Sequence, residues 1–362
     1  MSTLPTICFL TGTLNAFAGA ERMTAVIANA LAERGYRVFV LSLWDRASVF
    51  PLHPHVVHDA LFESRPSFKR QYLSTVAGIR RFVRQHGIDV LIEVDTMLTL
   101  FTLPATAGLN VRRIAWEHCH FDEDLGRRSR RVARWLAARF DDAVVVLTER
   151  DRRRWQQSAP DCSVHAIPNP LPFHFPAQAS SLDSQTVLAV GRLVPAKGFD
   201  ILISAWSEVA RKFPKWKLTI IGDGEERTAL EEQIYTHELG DSVSLPGTTS
   251  RVEEHYRSAS VFCLSSRYEG FALVLVEAMS FGLPIVSTNC DTGPKELIDP
   301  NVNGLLVPTG SPTALATTLT TLLENETLRH DLGTRARQDA RRFDCSEIVA
   351  RWRTLVDPHP PS

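Results

Sequence analysis

The sequence predicts an α/β fold of two Rossmann-like domains that face each other across a cleft. Three observations lead to this prediction. Short apolar runs alternate with amphipathic segments along the whole chain, a pattern typical of βαβ units around parallel sheets. The 362 residues are enough for two domains. A proline-rich stretch with a polar tail, residues 168–185, interrupts the alternation near the middle.

The strands are predicted from short runs of apolar, often β-branched residues, as expected where a parallel sheet is buried on both faces. These runs are Thr6–Thr11, Val38–Leu43, Val90–Glu93, Ile114–Trp116, Ala143–Leu147, Thr186–Val190, Lys217–Ile221, Ser242–Leu245, Val261–Leu264 and Pro284–Ser287. The helices are predicted from longer segments whose apolar residues recur with helical period. These segments are Glu21–Arg34, Phe199–Lys212, Glu225–Glu238, Ala272–Phe281 and Cys345–Leu355.

The linker sets the predicted domain boundaries. Residues 1–170 form the N-terminal domain, 171–185 the linker and 186–343 the C-terminal domain. Residues 344–362 form a last helix and a tail, which could cross back to the N-terminal domain.

Composition excludes several classes of protein. A hydrophobic content of 44% with 22% charged residues is typical of a soluble globular chain. The six cysteines show neither Cys-x-x-Cys spacing nor metal spacing with histidine, which predicts reduced thiols. The N-terminus has no basic region before its apolar residues, and the longest apolar stretch, residues 88–109, contains three carboxylates and a proline. We therefore expect a cytoplasmic protein without a signal peptide or a membrane span.

Two cations follow a predicted strand of the second half. Arg192 comes directly after Gly191, Lys197 follows five residues later, and Gly198 allows the chain to turn into the next helix. Ligands of open α/β sheets bind at the carboxyl ends of strands, and arginine and lysine are suited to phosphate. The segment therefore predicts a phosphate site, with a solvated loop bearing two surface cations as the alternative.

Two carboxylates, Glu269 and Glu277, lie eight residues apart, and a predicted helix begins between them near Ala272. A helix N-terminus favours phosphate, and Glu277 would lie roughly 7 Å further along the axis at about 1.5 Å per residue. Its neighbours are almost all apolar, so we expect it to be buried and to have a ligand or a structural partner. The pattern predicts phosphates at the helix tip, a ribose at Glu277 and a sugar at Glu269.

These residues resemble the Glu-x7-Glu signature of retaining glycosyltransferases of family 4, which have the GT-B fold. The segment 191–198 resembles the phosphate motif of that family, and the likeness extends over most of residues 186–310 through 220–225, 245–247, 282–286 and 303–307. In the first half, residues 18–22 resemble the family's Gly-Gly-Ala-Glu-Arg loop, with Ala18 in place of the first glycine and Gly19 retained.

The resemblance implies a nucleotide-sugar donor bound by the C-terminal domain and an acceptor bound by the N-terminal domain. The donor-binding residues it implies are Gly19, Arg192, Lys197, Gly247, Glu269, Gly270, Phe271, Ala272, Leu273 and Glu277. We expect a UDP-hexose or a UDP-N-acetylhexosamine, with GDP-mannose as the alternative.

The resemblance places His118 near the donor sugar. It follows a predicted strand within Trp116-Glu-His-Cys-His120, and the catalytic set implied is His118 with Arg192, Lys197 and Glu269. A structural histidine is the alternative for His118, and Glu117 and His120 are the other candidates of this segment.

Retention in the family is explained by front-face displacement, in which the departing phosphate oxygen helps to remove the acceptor proton. Catalysis then consists mainly of stabilising the negative charge of the leaving diphosphate. We expect no metal and no cofactor, and we interpret the acidic pairs at 122–124 and 141–142 as surface charges.

The first half of the chain is basic. Residues 1–170 contain 22 Lys and Arg against 17 Asp and Glu, and the segments 68–85 and 126–140 combine arginines with apolar side chains. Such segments suit an anionic membrane surface, with solvated helix faces as the alternative, and no nucleic-acid-recognition fold accompanies them. The family resemblance, with the loop 291–296, implies a glycan or polyprenyl-linked acceptor in bacterial surface polysaccharide or lipopolysaccharide synthesis. We therefore expect peripheral association with the inner face of the cytoplasmic membrane.

Two other functions remain open at the level of sequence. A nucleotide-sugar epimerase of the same fold would use the same phosphate site without an acceptor, and a non-catalytic protein could bind the same nucleotide sugar. A nicotinamide oxidoreductase is disfavoured because no Gly-x-Gly-x-x-Gly follows the first strand.

Overall fold

The computed structural model describes residues 4–124, 126–290 and 292–357. The chain forms two compact units, the described parts of Met1–Pro172 with Cys345–Ser362 (unit 1) and Phe173–Asp344 (unit 2). Each unit contains one parallel sheet with helices between its strands, which confirms the prediction of two Rossmann-like domains.

Unit 1 is built on a seven-stranded parallel sheet in the order β3-β2-β1-β4-β5-β6-β7. The strands are β1 Thr6–Thr11, β2 Arg37–Trp44, β3 Val56–Phe62, β4 Val90–Val94, β5 Arg112–Trp116, β6 Ala143–Val146 and β7 Val164–Ala166. The helices are α1 Gly19–Glu33, α2 Tyr72–His86, α3 Thr99–Thr106, α4 Arg128–Phe140 and α5 Glu149–Ser158, with a 3-10 turn at Thr96–Leu98. The order reverses between β1 and β4, so the loops after these strands lie at the switch point of the sheet.

Unit 2 is built on a six-stranded parallel sheet in the order β10-β9-β8-β11-β12-β13. The strands are β8 Thr186–Val190, β9 Lys217–Ile221, β10 Val243–Gly247, β11 Val261–Leu264, β12 Ile285–Thr288 and β13 Leu305–Val307. The helices are α6 Phe199–Lys212, α7 Arg227–Thr236, α8 Val252–Ser258, α9 Leu273–Ser280, α10 Pro294–Leu297, α11 Pro312–Glu324 and α12 Glu326–Ala340, with 3-10 turns at Pro195–Lys197 and Arg341–Phe343. Its switch point lies between β8 and β11.

The last helix, α13 (Cys345–Val356), packs against unit 1. The indole of Trp352 lies 4.9 Å from that of Trp116, centroid to centroid, and Arg112 Nη2 donates to the carbonyl of Leu355 at 2.9 Å. The Tyr36 hydroxyl donates to the carboxylate of Asp357. The C-terminal segment therefore belongs to the fold of the first unit.

The ten predicted strands are all present, but three strands were missed: β3, β7 and β13. All three lie at sheet edges. An edge strand has fewer neighbours to cover its side chains, so polar residues interrupt the sequences of β3 and β7, whereas β13 is an apolar run of only three residues. In β3, for example, only Val56 is fully buried.

A buried polar cluster lies between β4 and the end of α4. Glu93 accepts hydrogen bonds from Thr99 and Thr102 at 2.5 Å, Thr99 also approaches Asp141 at 3.3 Å, and Asp141 is ion-paired with Arg113 at 2.9 Å. One guanidinium therefore faces two buried carboxyl groups, and the interpretation of Asp141 as a surface charge is wrong. Burial, and for Asp141 the neighbouring charge of Glu93, raises the pKa of both, so the pair retains a proton near neutral pH.

Candidate active site

The loops that follow β8 and β11 are joined at the switch point of unit 2. The amide of Arg267 donates to the carbonyl of Ala196 at 2.8 Å, and the hydroxyl of Ser265 donates to the carbonyl of Lys197 at 2.9 Å. Because β8 and β11 are neighbours in a parallel sheet, their carboxyl ends lie at the same edge. This is the position where open α/β sheets bind ligands.

Lys197 and Glu269 form an ion pair between these two loops. Lys197 Nζ lies 2.7 Å from Glu269 Oε1, and the hydroxyl of Ser266 donates to the same oxygen at 2.5 Å. The side chain of Glu269 is 8% exposed and that of Lys197 is 22% exposed. An ammonium has three donors, so Lys197 can hold Glu269 and still reach an anion on its exposed side.

Arg192 lies five residues before Lys197 in the segment after β8, and it is exposed. Among the described residues, its guanidinium has no ion-pair or hydrogen-bond partner. The backbone around it is fixed, because the amide of Gly191 donates to Ile221 at 2.9 Å and that of Leu193 donates to Asp223 at 3.0 Å. A planar cation on a fixed backbone is suited to phosphate oxygens.

The fixed position of this loop requires a glycine on the neighbouring strand end. Gly222 follows β9 with φ +148°, and a Cβ there would lie 1.8 Å from the carbonyl oxygen of Gly191. Its amide donates to the carbonyl of Gly247 at 2.9 Å, and Gly247 itself has φ +90°. Gly247 is thus tied, through Gly222, to the loop that carries Arg192.

The helix α9 begins with a strained residue. Ala272 precedes Leu273 and has φ +61°, a left-handed conformation that costs a non-glycine residue about 1–2 kcal/mol. Gly293, with φ +78°, packs so closely that a Cβ there would lie 3.0 Å from the carbonyl carbon of Phe271, and the hydroxyl of Thr292 donates to the carbonyl of Glu269. Strain of this kind persists where the surroundings fix it, often at functional sites. The segment Gly270–Leu273 leads the chain into the first turn of α9.

Glu277 lies inside α9 and is 2% exposed. The hydroxyl of Tyr256 donates to its Oε2 at 2.7 Å. The expectation that this carboxylate is buried and has a structural partner or a ligand is therefore met, and the partner comes from α8. Glu269 is held by Lys197 and Ser266, whereas Glu277 accepts its hydrogen bond from Tyr256.

Gly19 begins α1 in unit 1, after Ala18 in an extended conformation. Apart from its chain neighbours and the backbone of its own helix, no atom of the described residues lies within 4 Å of the position that a Cβ of Gly19 would occupy. The packing of unit 1 therefore does not itself require a glycine at this position.

His118 follows β5 of unit 1, and its ring lies 4.4 Å from that of Trp116. Its Nε2 atom is buried and has no hydrogen-bond partner within the described part of the chain. Burial lowers the pKa of His118 to about 4, against the opposing charge of Asp95. The imidazole is therefore neutral at pH 7, and a buried nitrogen without a partner makes His118 a candidate for contact with a ligand.

Glu117 is held in a structural network. It is 1% exposed, and its carboxylate receives hydrogen bonds from Arg130 at 3.1 Å, from Arg134 at 2.9 Å and from Thr96 at 2.6 Å. The amide of Cys119 donates to it at 3.0 Å. With its acceptor sites engaged in this way, Glu117 holds its own segment in place.

The chain is similar to known glycosyltransferases over nearly its whole length. Residues 172–339 match the family of Glycosyl transferases group 1, and residues 17–174 match Glycosyltransferase Family 4. An uncharacterised glycosyltransferase of Haemophilus influenzae is 33% identical over 338 residues, which cover 93% of this chain and 96% of that protein. The chain is a glycosyltransferase of family 4.

Two further proteins are similar to this glycosyltransferase. The Campylobacter jejuni GalNAc-α-(1→4)-GalNAc-α-(1→3)-diNAcBac-PP-undecaprenol α-1,4-N-acetyl-D-galactosaminyltransferase is 29% identical over 361 residues, covering 97% of this chain and 98% of that protein. The crystal structure of Anabaena HepE in complex with UDP and glucose superposes with a TM-score of 0.82 at 21% identity, covering 97% of this chain and 99% of HepE. The second similarity confirms the GT-B fold.

The glycosyltransferase differs from the sequence-based expectation in its basic segment. Among the six arginines of residues 126–139, Arg130 and Arg134 are buried, at 3% and 6% exposure. The exposed face of α4 presents the apolar and aromatic side chains of Val132, Trp135 and Phe140 together with Arg131 and Arg139. Helical period alone cannot show this, because the carboxylates that pair with the two arginines come from other strands. We call Arg131, Val132, Trp135, Arg139 and Phe140 the outer face of α4.

Several contacts of the glycosyltransferase's site were missed in the sequence. Tyr256 and Ser266, which hold the two glutamates, had no signal beyond a polar residue near a strand or helix, and Asp95 had only its place after a strand. Within residues 4–124, 126–290 and 292–357, no three His, Cys, Asp or Glu side chains gather as a metal ion would require, and no helix is long and apolar enough to cross a bilayer. Asp291, the first residue of the loop 291–296, lies outside the described residues.

Proposed function

We propose that this glycosyltransferase moves a hexose or an N-acetylhexosamine from a UDP-sugar to a glycan or lipid-linked acceptor with retention of anomeric configuration. The observation that carries the proposal is the ion pair of Lys197 with Glu269, together with the exposed Arg192 on the segment that carries Lys197. It lies at the sheet edge where such folds bind ligands, and it combines two cations with one carboxylate.

Each residue of this group has a distinct role in the proposal. Arg192 and the exposed side of Lys197 bind the diphosphate, while Glu269 binds hydroxyls of the transferred sugar. The amides of Gly270–Leu273 and the first turn of α9 face the phosphates, since the first amides of a helix have no intrahelical partner. Glu277, oriented by its neighbour from α8, binds the ribose.

The chemical step requires stabilisation of charge. As the glycosidic bond to the diphosphate breaks, negative charge grows on the leaving oxygen, and fixed cations next to that oxygen lower the barrier. Arg192 and Lys197 supply two positive charges against the diphosphate, which is the basis for proposing a reaction without a metal or another cofactor. His118, neutral at pH 7, contributes a hydrogen bond from its ring to a hydroxyl of a substrate sugar.

The choice of donor and acceptor is supported by similar proteins. HepE, which shares the fold, was solved with UDP and glucose, and the Campylobacter jejuni relative is named for an undecaprenol-linked glycan. A UDP-sugar and a lipid-linked or extending surface glycan are the substrates that we propose on this basis.

A lipid-linked acceptor implies work at a membrane surface, and the outer face of α4 is suited to it. Trp135 is 62% exposed, Val132 52% and Phe140 47%, and the guanidinium of Arg139 lies 5.5 Å from the ring of Phe140. Apolar and aromatic side chains among arginines are typical of helices that lie in the headgroup region of an anionic bilayer. We propose that unit 1 contacts the inner face of the cytoplasmic membrane through this surface.

The donor is tested by a thermal-shift series of nucleotide sugars, because a ligand that binds only the folded state raises its stability. We expect UDP-sugars to raise the melting temperature more than GDP-mannose does, and Lys197→Met to reduce the shift. The best donor is then incubated with a lipid-linked acceptor, and NMR of the product gives the anomeric configuration. Inversion would refute the retaining mechanism. Formation of an epimerised sugar when the enzyme is given the donor alone would show that it is an epimerase and would refute the proposed transfer.

A further inference from the structure

We propose that Arg130 is a positioning residue for His118: its guanidinium ties the end of β4 to the end of β5 and so fixes the segment that carries the imidazole. The proposal rests on the proposed role of His118 in the transfer reaction. It adds a residue that touches neither donor nor acceptor.

Arg130 bridges two strand ends. Its Nη1 and Nη2 donate to the two carboxylate oxygens of Asp95 at 3.0 and 2.8 Å, and Nη1 also donates to Glu117 at 3.1 Å. Asp95 directly follows β4, and Glu117 directly follows β5 and precedes His118. Since β4 and β5 are neighbours in the sheet, the guanidinium closes a short bridge across their carboxyl ends.

A second arginine of α4 fixes the other side of the segment. Arg134 Nε donates to Glu117 at 2.9 Å, and its two terminal nitrogens donate to the carbonyls of His120 at 3.1 Å, Phe121 at 2.6 Å and Glu123 at 2.9 Å. His118 therefore lies between a side chain held by both arginines and a run of backbone held by one of them. The restrained backbone on both sides, with the packing of the ring 4.4 Å from that of Trp116, limits where the imidazole can lie.

The conformation of Asp95 shows that this bridge opposes a local preference. Asp95 has φ +127° and ψ 129°, a region that costs a non-glycine residue about 1–3 kcal/mol. The residue stays there with both carboxylate oxygens on Arg130 and with Oδ1 accepting also from the amide of Met97 at 2.8 Å. The strained turn puts the carboxylate where Arg130 can reach both Asp95 and Glu117.

The bridge is poorly explained by stability alone. Arg130 is 3% exposed, and its Nε atom has no hydrogen-bond partner among the described residues. Buried ion pairs of this kind can often be replaced by apolar side chains without loss of stability. Positioning of the adjacent His118 gives the arrangement a function that apolar packing would not supply.

The test compares Arg130→Met, Arg130→Lys and a control, Arg152→Met, in the full-length enzyme. Arg152 is an arginine of the same unit, ion-paired to Glu149 at 2.6 Å on the surface.

We measure kcat and the donor KM, and we follow the imidazole Cε1–H signal of His118 by NMR, assigned with His118→Asn. For Arg130→Met we expect kcat to fall about 10- to 100-fold with the donor KM within about threefold, and the His118 signal to move. Arg130→Lys should recover part of both effects, because it restores the charge without the two-pronged geometry. Arg152→Met should match the wild type.

A folded Arg130→Met enzyme with wild-type kcat and an unmoved His118 signal would overturn the inference, as would an equal loss in Arg152→Met. Should Arg130→Met fail to fold, Arg130→Lys and Asp95→Asn carry the test, and full activity with an unmoved signal in both would overturn it. An active His118→Asn enzyme would instead refute the proposed role of His118. Loss of activity in His118→Asn together with full activity in Arg130→Met would refute only the inference.

Discussion

Replacement of Lys197 by methionine separates the two roles that the structure gives to this residue. The substitution keeps the length of the side chain but removes its charge. In the free enzyme it leaves Glu269, 8% exposed, with the hydroxyl of Ser266 but without its cation at 2.7 Å. In the reacting complex it removes a charged contact to the leaving diphosphate.

The two losses have different magnitudes. A hydrogen bond to a charged group contributes about 1.5–3 kcal/mol, and about 1.4 kcal/mol corresponds to a factor of ten in rate. We therefore expect kcat of Lys197→Met to fall roughly 10- to 100-fold or more. The loss of a partly exposed ion pair should cost about 1–2 kcal/mol of stability, which lowers the melting temperature of a unit of this size by roughly 2–8 °C.

Arg192→Met is the matched comparison. Arg192 is exposed and has no side-chain partner among the described residues, so its replacement should lower kcat by a similar factor while leaving the melting temperature within about 1 °C. Adding Glu269→Gln to Lys197→Met should restore stability, because no unpaired charge remains buried, but it should not restore turnover.

The assay is initial-rate transfer at saturating donor, with melting followed by circular dichroism. Near-wild-type kcat in both single variants would refute the assignment of the phosphate site. An unchanged melting temperature in Lys197→Met would refute the reasoning about the ion pair, even with turnover lost.

Three other predictions concern stability and membrane binding. Burial raises the folded-state pKa of Glu93 and Asp141, so the pair stabilises the fold below about pH 4, and this contribution is lost as the pH rises through the folded pKa. Glu93→Gln should therefore flatten the decline of the free energy of unfolding between pH 5 and 9. An unchanged slope would contradict the shared proton. Gly222→Ala should prevent stable folding of unit 2, since its Cβ would lie 1.8 Å from a backbone oxygen, whereas Gly240→Ala, with nothing within 4 Å, should change the free energy of unfolding by less than about 0.5 kcal/mol in urea denaturation. Trp135→Ala should weaken cosedimentation with anionic vesicles at low salt. The control is Tyr235→Ala, which removes an 84% exposed aromatic side chain from α7 in unit 2 and should not weaken binding. Equal binding by both variants would argue against the outer face of α4 as the membrane contact.

The local sequence by itself determined the repeating pattern of the fold. Strands such as β1, β8 and β11 are buried on both faces, so their apolar runs predict them with the bounds that the structure has. The sequence also determined where Arg192 and Lys197 lie, because residues that directly follow a parallel strand lie at the carboxyl edge of the sheet.

The tertiary structure decided which charges serve binding and which serve packing. The sequence of α4 predicts one basic helix, but Arg130 and Arg134 turn inward. They pair there with the buried carboxylate of Glu117 and, for Arg130, with the partly exposed carboxylate of Asp95, and these two acids follow separate strands. Likewise, nothing local pairs Lys197 with Glu269, which lie 72 positions apart in the chain. The helical or strand period of a sequence predicts which positions are apolar and buried. A charged residue can also be buried when it has a partner of opposite charge, and the order of the strands decides whether such a partner lies nearby. Only the folded chain could therefore show that His118 lies in a segment held by buried ion pairs.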